Sequence, residues 1–261
     1  MNRHRAPLAA AALSAVAVLA GCVSDGGDEP GTGADDPVAG TVTVFAAASL
    51  TEAFAALEAE FERLHPAVDV VLSFGGSGAL AAQITQGAPA DVFAAAAEAP
   101  MAAVIDGGDA AGSTVFTTNT LEIAVPPGNP ADVEGLADLA DPTLAIALCD
   151  PSVPCGAASE ALMEAAGLIA APDTLEQDVK GVLTKIELGE ADAGLVYLTD
   201  VIAAGQRVEG IVVPEADEVV NAYPIAALTG APNPEGAQAW VDFVLSAAGQ
   251  AALEDAGFVA P

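Results

Sequence analysis

Short apolar segments alternate with stretches of helical periodicity along most of this 261-residue chain. The segments that we predict as strands are Thr41–Ala46, Val68–Phe74, Asp91–Ala94, Leu121–Val125, Leu144–Leu148, Gly194–Tyr197 and Ile211–Val213. Apolar residues recur at three- or four-residue spacing in the predicted helices Leu50–Leu64, Ala79–Gln86, Ala157–Ala166 and Val179–Leu188. This alternation favours an α/β fold with mainly parallel sheets. Two C-terminal helices, around Pro234–Leu245 and Ala247–Ala256, contain Trp240 and Phe243, which we predict to pack in a core.

The first 22 residues have the pattern of a bacterial export signal. Arg3 and Arg5 give a basic start, and the apolar run Leu8–Leu19 is short for a bilayer span, which takes about 20 residues. The run ends in Leu19-Ala20-Gly21-Cys22, which resembles a lipobox. We therefore expect residues 1–21 to be a cleaved signal peptide and Cys22 to be lipidated, which anchors the chain to the outer face of the cell membrane. The alternative is an ordinary secretory peptide with an incidental cysteine.

A polar segment separates this signal from the apolar segments. Residues 22–40 are rich in Gly, Asp and Pro, so they cannot bury enough surface to offset the entropy lost on ordering. We predict a lipidated, disordered tether, in which about 18 flexible residues reach roughly 23 Å. The folded part would then work in the water beside the membrane.

The charge and the scarcity of histidine and cysteine exclude several functions. The chain has 37 Asp+Glu against 6 Lys+Arg, whereas nucleic-acid binding requires clustered Lys and Arg. Two histidines and three cysteines are too few for a three-histidine or four-cysteine metal site. Once the signal peptide is removed, His65 is the one histidine that could serve as a base, and no Ser-x-x-Lys motif is present. We predict no enzyme activity and no cofactor; a serine hydrolase is the remote alternative.

Serine residues follow two of the predicted strands at their carboxyl ends. Ser49 follows the first strand, and Ser77 lies in the turn Gly75-Gly76-Ser77-Gly78 after the second. Ligands of parallel α/β sheets bind beyond the carboxyl ends of the strands, where helix N-termini offer unpaired N–H groups. The two turns therefore indicate an anion site. Ser49 and Glu52 also have the Ser-x-x-Glu spacing of a capping box, so we predict that they cap the helix that follows.

The second half of the chain repeats this arrangement. The Pro-rich turn Cys149–Gly156 precedes one predicted helix, and Asp178 precedes another as its expected N-cap. Tyr197, one of two tyrosines, ends a predicted strand and is either a ligand donor or the edge of a core. We expect Lys180 to lie on a solvated face.

Cys149 and Cys155 lie six residues apart on one turn. Oxidised pairs persist in exported chains, so we predict a disulfide between these cysteines. The alternative is two small, buried free thiols.

Six motifs occur in the order, and near the spacing, that one protein family has. They are Thr41–Thr51, Ser73–Ala81, Gln83–Phe93, Asp150–Gly156, Asp178–Gly181 and Gly194–Tyr197. Over residues 41–258 the chain resembles the molybdate-binding proteins of bacterial ABC importers. The resemblance implies a two-lobed periplasmic binding protein fold (type II), with a mainly parallel sheet flanked by helices in each lobe and two crossover strands between the lobes. We expect residues 41–120 and 222–261 to form lobe 1, and residues 121–221 to form lobe 2.

The resemblance also implies a ligand and its contacts. Residue by residue, the contacts of the family fall on Ser49, Ser77, Cys155, Val179 and Tyr197. The serines would act through hydroxyl and N–H groups, Cys155 and Val179 through backbone N–H groups, and Tyr197 through its phenolic proton. Cys155 stands where the family usually has alanine, and a main-chain donor survives that change. The ligand would be molybdate or tungstate, held as the oxyanion, so that no side chain ligates the metal directly.

The implied partner is the membrane permease of a molybdate ABC transporter, to which a monomeric binding protein delivers the anion. The nearest alternative is a binding protein for sulfate or another tetrahedral oxyanion. Hydrogen phosphate keeps a proton near neutral pH, and a cavity of donors alone would leave that proton unpaired. Molybdate, tungstate and sulfate are unprotonated, so size alone separates them: sulfate is smaller, whereas molybdate and tungstate are nearly equal in size.

Overall fold

The computed structural model describes residues 38–261. The predicted signal peptide, Cys22 and the tether up to residue 37 lie outside the described residues. The described strands are β1 (Gly40–Ala47), β2 (Val68–Gly75), β3 (Val92–Ala94), β4 (Thr114–Asn119), β5 (Leu121–Val125), β6 (Ile146–Cys149), β7 (Thr174–Glu176), β8 (Ala193–Tyr197), β9 (Glu209–Ile211) and β10 (Asn221–Ala227). The described α-helices are α1 (Thr51–Leu64), α2 (Ser77–Thr85), α3 (Glu98–Asp106), α4 (Pro154–Ala165), α5 (Val179–Glu187), α6 (Leu198–Ala204), α7 (Pro234–Leu245) and α8 (Ala247–Asp255).

The strands form two five-stranded sheets that helices flank. The first sheet has the order β2-β1-β3-β10-β4; β1 pairs in parallel with β2 and β3, and β10 pairs antiparallel with β3 and β4. The second has the order β7-β6-β8-β5-β9; β6 pairs in parallel with β7 and β8, and β5 pairs antiparallel with β8 and β9. The predicted two-lobed α/β fold is confirmed.

Both sheets are mixed, with parallel pairings in only half of each, so the prediction of mainly parallel sheets is wrong. The antiparallel pairings of the second sheet involve β5, and those of the first sheet involve β10. Each of these is the strand that the chain enters after it crosses from one sheet to the other. The first crossing is a single residue, Thr120, between β4 and β5, and the second connects β9 to β10.

Each sheet has its own hydrophobic core. Trp240 of α7 is fully buried in the first core, where its ring lies edge-on to Phe54 and Phe61 at centroid distances of 5.8 and 5.2 Å. Phe243 is also buried there, so the predicted core role of both C-terminal aromatic residues is confirmed. The second core is mainly aliphatic. Within residues 38–261, no helix combines the length and the apolar character needed to cross a bilayer.

Several elements differ from the sequence prediction. Strands β4, β7 and β10 and helices α3 and α6 were not predicted. Strand β9 ends at Ile211, where the predicted strand began, and β6 begins at Ile146, two residues later than predicted. The strands whose ends form the candidate site, β1, β2 and β8, end within one residue of their predicted positions.

Candidate functional site

A small cavity lies between the lobes, where the ends of β1, β2 and β8 approach the starts of α2, α4 and α5. All five residues to which the family's ligand contacts carry over line it: Ser49, Ser77, Cys155, Val179 and Tyr197. The cavity has a volume of about 20 Å³. A single water needs about 10–15 Å³, so the space suits a compact ligand of a few heavy atoms.

Ser49 lies in a 3-10 turn, Ala48–Leu50, that connects β1 to α1. Its hydroxyl oxygen is 2.9 Å from the phenolic oxygen of Tyr223 on β10. Helix α1 has Leu50 as its N-cap and has no side-chain cap. The predicted capping box of Ser49 and Glu52 is therefore wrong, because the turn directs the Ser49 hydroxyl towards Tyr223 and away from the helix N–H groups.

Ser77 is the first residue of α2, and its N-cap is Gly76. The side chain is buried, and its hydroxyl oxygen accepts a hydrogen bond from the N–H of Ala96 at 3.0 Å. Since this bond occupies a lone pair, the hydroxyl proton of Ser77 can be donated to a ligand.

Two further helices begin at the cavity from the second lobe. Cys155 is the second residue of α4 and Val179 the first residue of α5. The first N–H groups of a helix have no intrahelical acceptor and lie at the positive end of the helix dipole. Asp178 is the N-cap of α5 and accepts the N–H of Gly181 at 3.0 Å, which confirms the predicted cap. Both helix starts can therefore offer backbone donors to an anion.

A disulfide joins Cys155 to Cys149 at the end of β6. Both residues are buried. Gly156 packs so closely against this turn that a Cβ atom there would lie 1.9 Å from the carbonyl oxygen of Asp150. The disulfide and this close approach together fix the turn that presents the Cys155 N–H.

Tyr197 is the last residue of β8 and is 1% exposed. Its hydroxyl group is buried at the cavity and lies near the phenol of Tyr223, but it makes no hydrogen bond of good geometry with the described residues. Burial raises the pKa of Tyr197 well above its ordinary value, so the phenol stays protonated at neutral pH. A buried hydroxyl without a well-formed hydrogen bond is costly, and an anion in the cavity would accept its proton.

Lys180 lies in an ion-pair network, and the predicted solvated face is wrong. Its ammonium nitrogen lies 2.8 and 2.9 Å from the two carboxylate oxygens of Glu52 and 2.9 Å from Oδ1 of Asp200. Burial alone would lower the pKa of Lys180, but the two carboxylates more than offset this effect and raise it. The ammonium is thus charged and engaged by carboxylates, which leaves the anion cavity to neutral donors.

Asp200 is fully buried and accepts the backbone N–H of Tyr197 at 3.1 Å. Burial raises its pKa to about 6, although Lys180 opposes the shift. Sequence reasoning missed Asp200 and Tyr223. The spacing Tyr197-x-x-Asp200 is that of a capping residue and could have indicated the first, whereas no local signal connects Tyr223 to Ser49.

The lobes touch beside the cavity. A Cβ atom on Gly76 in the first lobe would lie 2.5 Å from the backbone carbonyl oxygen of Gln177 in the second. Among real structures such a distance is essentially absent, so this contact requires glycine. The lobes are therefore packed together around the cavity.

Comparisons with known proteins agree with this architecture. The family model for bacterial extracellular solute-binding proteins matches residues 42–259. The molybdate-binding protein ModA of Mycobacterium tuberculosis is 42% identical over 252 residues, which cover 95% of this chain and 97% of that protein. ModA of Escherichia coli is 34% identical over 209 residues, covering 74% of this chain and 79% of that protein.

A solved structure shares the fold. The periplasmic molybdate-binding protein of Azotobacter vinelandii superimposes with a TM-score of 0.72 at 22% identity, covering 84% of this chain and 99% of that one. The resemblance that the motifs indicated is confirmed by these relatives. The chain belongs to the family of bacterial extracellular solute-binding proteins, in which its relatives include molybdate-binding proteins.

Proposed function

We propose that this protein binds molybdate, and tungstate with it, between its two lobes and delivers the anion to the permease of an ABC importer. The observation that carries the proposal is the convergence of Ser49, Ser77, Cys155, Val179 and Tyr197 on one small cavity. These residues come from elements far apart in the sequence, and they are the positions to which the resemblance to molybdate-binding proteins assigns the ligand contacts. The 42% identity to the M. tuberculosis molybdate-binding protein supports the same ligand.

Neutral donors suffice to hold a doubly charged anion. Hydrogen bonds to a charged group contribute about 1.5–3 kcal/mol each, and a favourable helix N-terminus adds up to about 2 kcal/mol. About six or seven donors give roughly 10–20 kcal/mol, against an association cost of about 4–15 kcal/mol. Micromolar to nanomolar affinity, about −8 to −12 kcal/mol, lies within reach. Exposed acidic side chains farther than about 8 Å from the anion oppose binding little, because salt screens them.

The same donors supply selectivity. Among the described residues that line the cavity, Asp178 alone has a carboxylate, and its Oδ1 accepts the N–H of Gly181. Hydrogen phosphate would find few acceptors for its proton, which is costly to bury unpaired. Sulfate is smaller than molybdate, so its oxygens would leave the donors overstretched.

A binding role fits the serines better than a catalytic one. A serine nucleophile needs a neighbouring general base. The hydroxyl groups of Ser49 and Ser77 instead contact the phenol of Tyr223 and the N–H of Ala96. We propose that the protein is not an enzyme, needs no cofactor, acts as a monomer and is anchored through Cys22 to the outer face of the cell membrane.

Isothermal titration calorimetry of the exported protein tests the proposal. We expect micromolar or tighter binding of molybdate and tungstate, sulfate at least about 100-fold weaker, which corresponds to about 3 kcal/mol, and no measurable binding of phosphate. Sulfate that binds as tightly as molybdate would favour the alternative of a general oxyanion-binding protein. The absence of binding to all four anions would overturn the proposal.

A further inference from the structure

An ion-pair chain crosses from one lobe to the other beside the cavity. Lys180 on α5 pairs with Glu52 on α1 at 2.8 Å and with Asp200 on α6 at 2.9 Å. Glu52 belongs to the first lobe, and Lys180 and Asp200 belong to the second. The side chain of Asp200 is fully buried, that of Lys180 is 23% exposed and that of Glu52 is 49% exposed, so the ion-pair chain runs from the interior to the surface.

Each residue of the ion-pair chain lies within three positions of a proposed ligand contact in the sequence. Glu52 follows Ser49 by three residues, at the start of the helix that the Ser49 turn leads into. Lys180 directly follows Val179 at the start of α5.

Asp200 follows Tyr197 by three residues and accepts its backbone N–H at 3.1 Å. The ion-pair chain therefore connects the backbone segments that present three of the five proposed contacts, one from the first lobe and two from the second.

We propose that Lys180 is a positioning residue for anion binding: by pairing with Glu52 across the cleft it holds the lobes in the arrangement in which Ser49, Val179 and Tyr197 face one ligand. This inference rests on the proposed function. Lys180 does not touch the anion, since both partners of its ammonium group are carboxylates. Loss of the Glu52–Lys180 pair makes the closed arrangement less favourable and speeds ligand release. The association rate depends on the encounter of the anion with the separated lobes, so it changes less than the release rate.

Lys180 has a second effect through Asp200. A buried carboxylate beside the cavity repels a dianion, and charges in the protein interior are poorly screened. The ammonium at 2.9 Å compensates this charge. The two effects separate by mutation, because Glu52→Gln breaks the link between lobes but leaves Lys180 paired with Asp200.

If electrostatic repulsion alone acted, Glu52→Gln would slow the release of molybdate. The substitution removes a negative charge near the site of a dianion, so a simple field effect strengthens binding. A faster release from Glu52→Gln can therefore be attributed to loss of the contact between lobes.

The same helix offers a matched control. Lys185 pairs with Glu190 at 3.1 Å and with Glu176 at 3.9 Å, and all three residues belong to the second lobe. Lys185→Met removes a partly exposed lysine and its ion pairs from α5 without touching the contact between lobes.

The experiment measures release of radiolabelled molybdate from the full-length exported protein after a chase with excess unlabelled molybdate, together with the association rate. We expect Glu52→Gln to speed release about two- to fivefold, the range for a partly exposed pair, with an association rate within about twofold of wild type. We expect Lys180→Met to speed release at least as much, and Lys185→Met to release at the wild-type rate. The double variant Glu52→Gln/Lys180→Met should release no faster than Lys180→Met, since both substitutions break one pair.

The inference is overturned if Glu52→Gln, which keeps the buried pair of Lys180 and Asp200, releases molybdate at the wild-type rate. Equal acceleration by Lys185→Met would also overturn it, because a loss of charge anywhere on α5 would then explain the effect. Wild-type protein that binds no molybdate would overturn the proposed function, and this inference with it.

Discussion

The hydroxyl oxygens of Ser49 and Tyr223 lie 2.9 Å apart, although 174 positions separate the two residues in the sequence. Tyr223 belongs to β10, the strand by which the chain returns to the first sheet, and its side chain is fully buried. This contact fixes the Ser49 hydroxyl at the cavity wall. A proposed ligand contact near the start of the fold thus depends on a strand close to its end.

Tyr223→Phe removes this hydrogen bond and keeps the ring, which packs edge-on against Phe116 and Phe258 at 6.4 and 5.5 Å. We expect affinity for molybdate to fall by about 0.5–1.5 kcal/mol, the contribution of a typical hydrogen bond. Calorimetric titration measures the change. Wild-type affinity in Tyr223→Phe would contradict a role of Tyr223 in placing Ser49.

Tyr197→Phe separates ligand binding from protein stability. The Tyr197 hydroxyl lies near the phenol of Tyr223 but makes no hydrogen bond of good geometry with the described residues, so its removal costs the free protein little in hydrogen bonding. We expect affinity for molybdate to fall by about 1.5–3 kcal/mol, the contribution of a hydrogen bond to a charged group. The melting temperature of the ligand-free protein should stay the same or rise. A lower melting temperature together with unchanged affinity would mean that Tyr197 has a structural role only.

Gly76→Ala tests the close contact between the lobes. A Cβ atom there would lie 2.5 Å from the carbonyl oxygen of Gln177, whereas a Cβ atom on Gly78 would meet no atom within 4 Å. We expect Gly76→Ala to weaken molybdate binding by about 1–3 kcal/mol, the usual cost of an overpacked site. The control Gly78→Ala should bind as wild type does, and titration of both variants makes the comparison. Equal affinities of the two variants would show that binding does not need this contact.

Sequence reasoning went furthest where the signal was local. Strands β1, β2 and β8 are apolar segments that end in distinctive turns, so both their existence and their ends were predictable. Strand β10 contains Pro224, where its register against β4 shifts, and proline argues against a strand within a sheet. Strand β4 has the sequence TVFTTN, in which polar residues mask the apolar pattern, and β7 has only three residues.

The site was predictable in its residues but not in its contacts. The resemblance carried five ligand contacts over to this chain, and all five of those residues line the cavity. The pairs Ser49–Tyr223 and Glu52–Lys180 join elements 174 and 128 positions apart, and only the packed fold brings them together. The Ser-x-x-Glu pattern indicated a local cap. In the structure the Ser49 hydroxyl contacts Tyr223 instead, and the Glu52 carboxylate pairs with Lys180.

The disulfide should stabilise the fold and the turn that presents Cys155. Closing a loop of this length stabilises a protein by about 2 kcal/mol through the entropy of the unfolded chain. We expect reduction, or the double substitution Cys149→Ala/Cys155→Ala, to lower the free energy of unfolding by about this amount and to weaken molybdate binding. Denaturant unfolding and titration measure the two effects. Thiol titration that finds both cysteines free in the native, unreduced protein would contradict the prediction.

Asp200 should make stability depend on pH between about 4 and 6. Burial raises its pKa from the ordinary 3.8 to about 6, with Lys180 opposing, so the folded protein holds a proton that the unfolded chain releases. The contribution of Asp200 to the free energy of unfolding therefore falls as pH rises through this window and is constant above it. The difference between the two pKa values is worth about 3 kcal/mol.

Asp200→Asn removes this titration, while other buried carboxyls with a raised pKa, such as Glu122, remain in both proteins. We therefore expect the stability of wild type to decline relative to Asp200→Asn from pH 4 to pH 6. Denaturant unfolding across this range measures the difference. Parallel curves for the two proteins would contradict the raised pKa of Asp200.

The central claim is that neutral donors from both lobes hold a doubly charged oxyanion without a cationic ligand. A crystal structure of the molybdate complex tests it most directly. We predict the anion in the cavity between Ser49, Ser77, Cys155, Val179 and Tyr197, with Lys180 still paired to Glu52 and Asp200. An ammonium group of Lys180 on the anion, or an anion bound elsewhere while this cavity stays empty, would contradict the account.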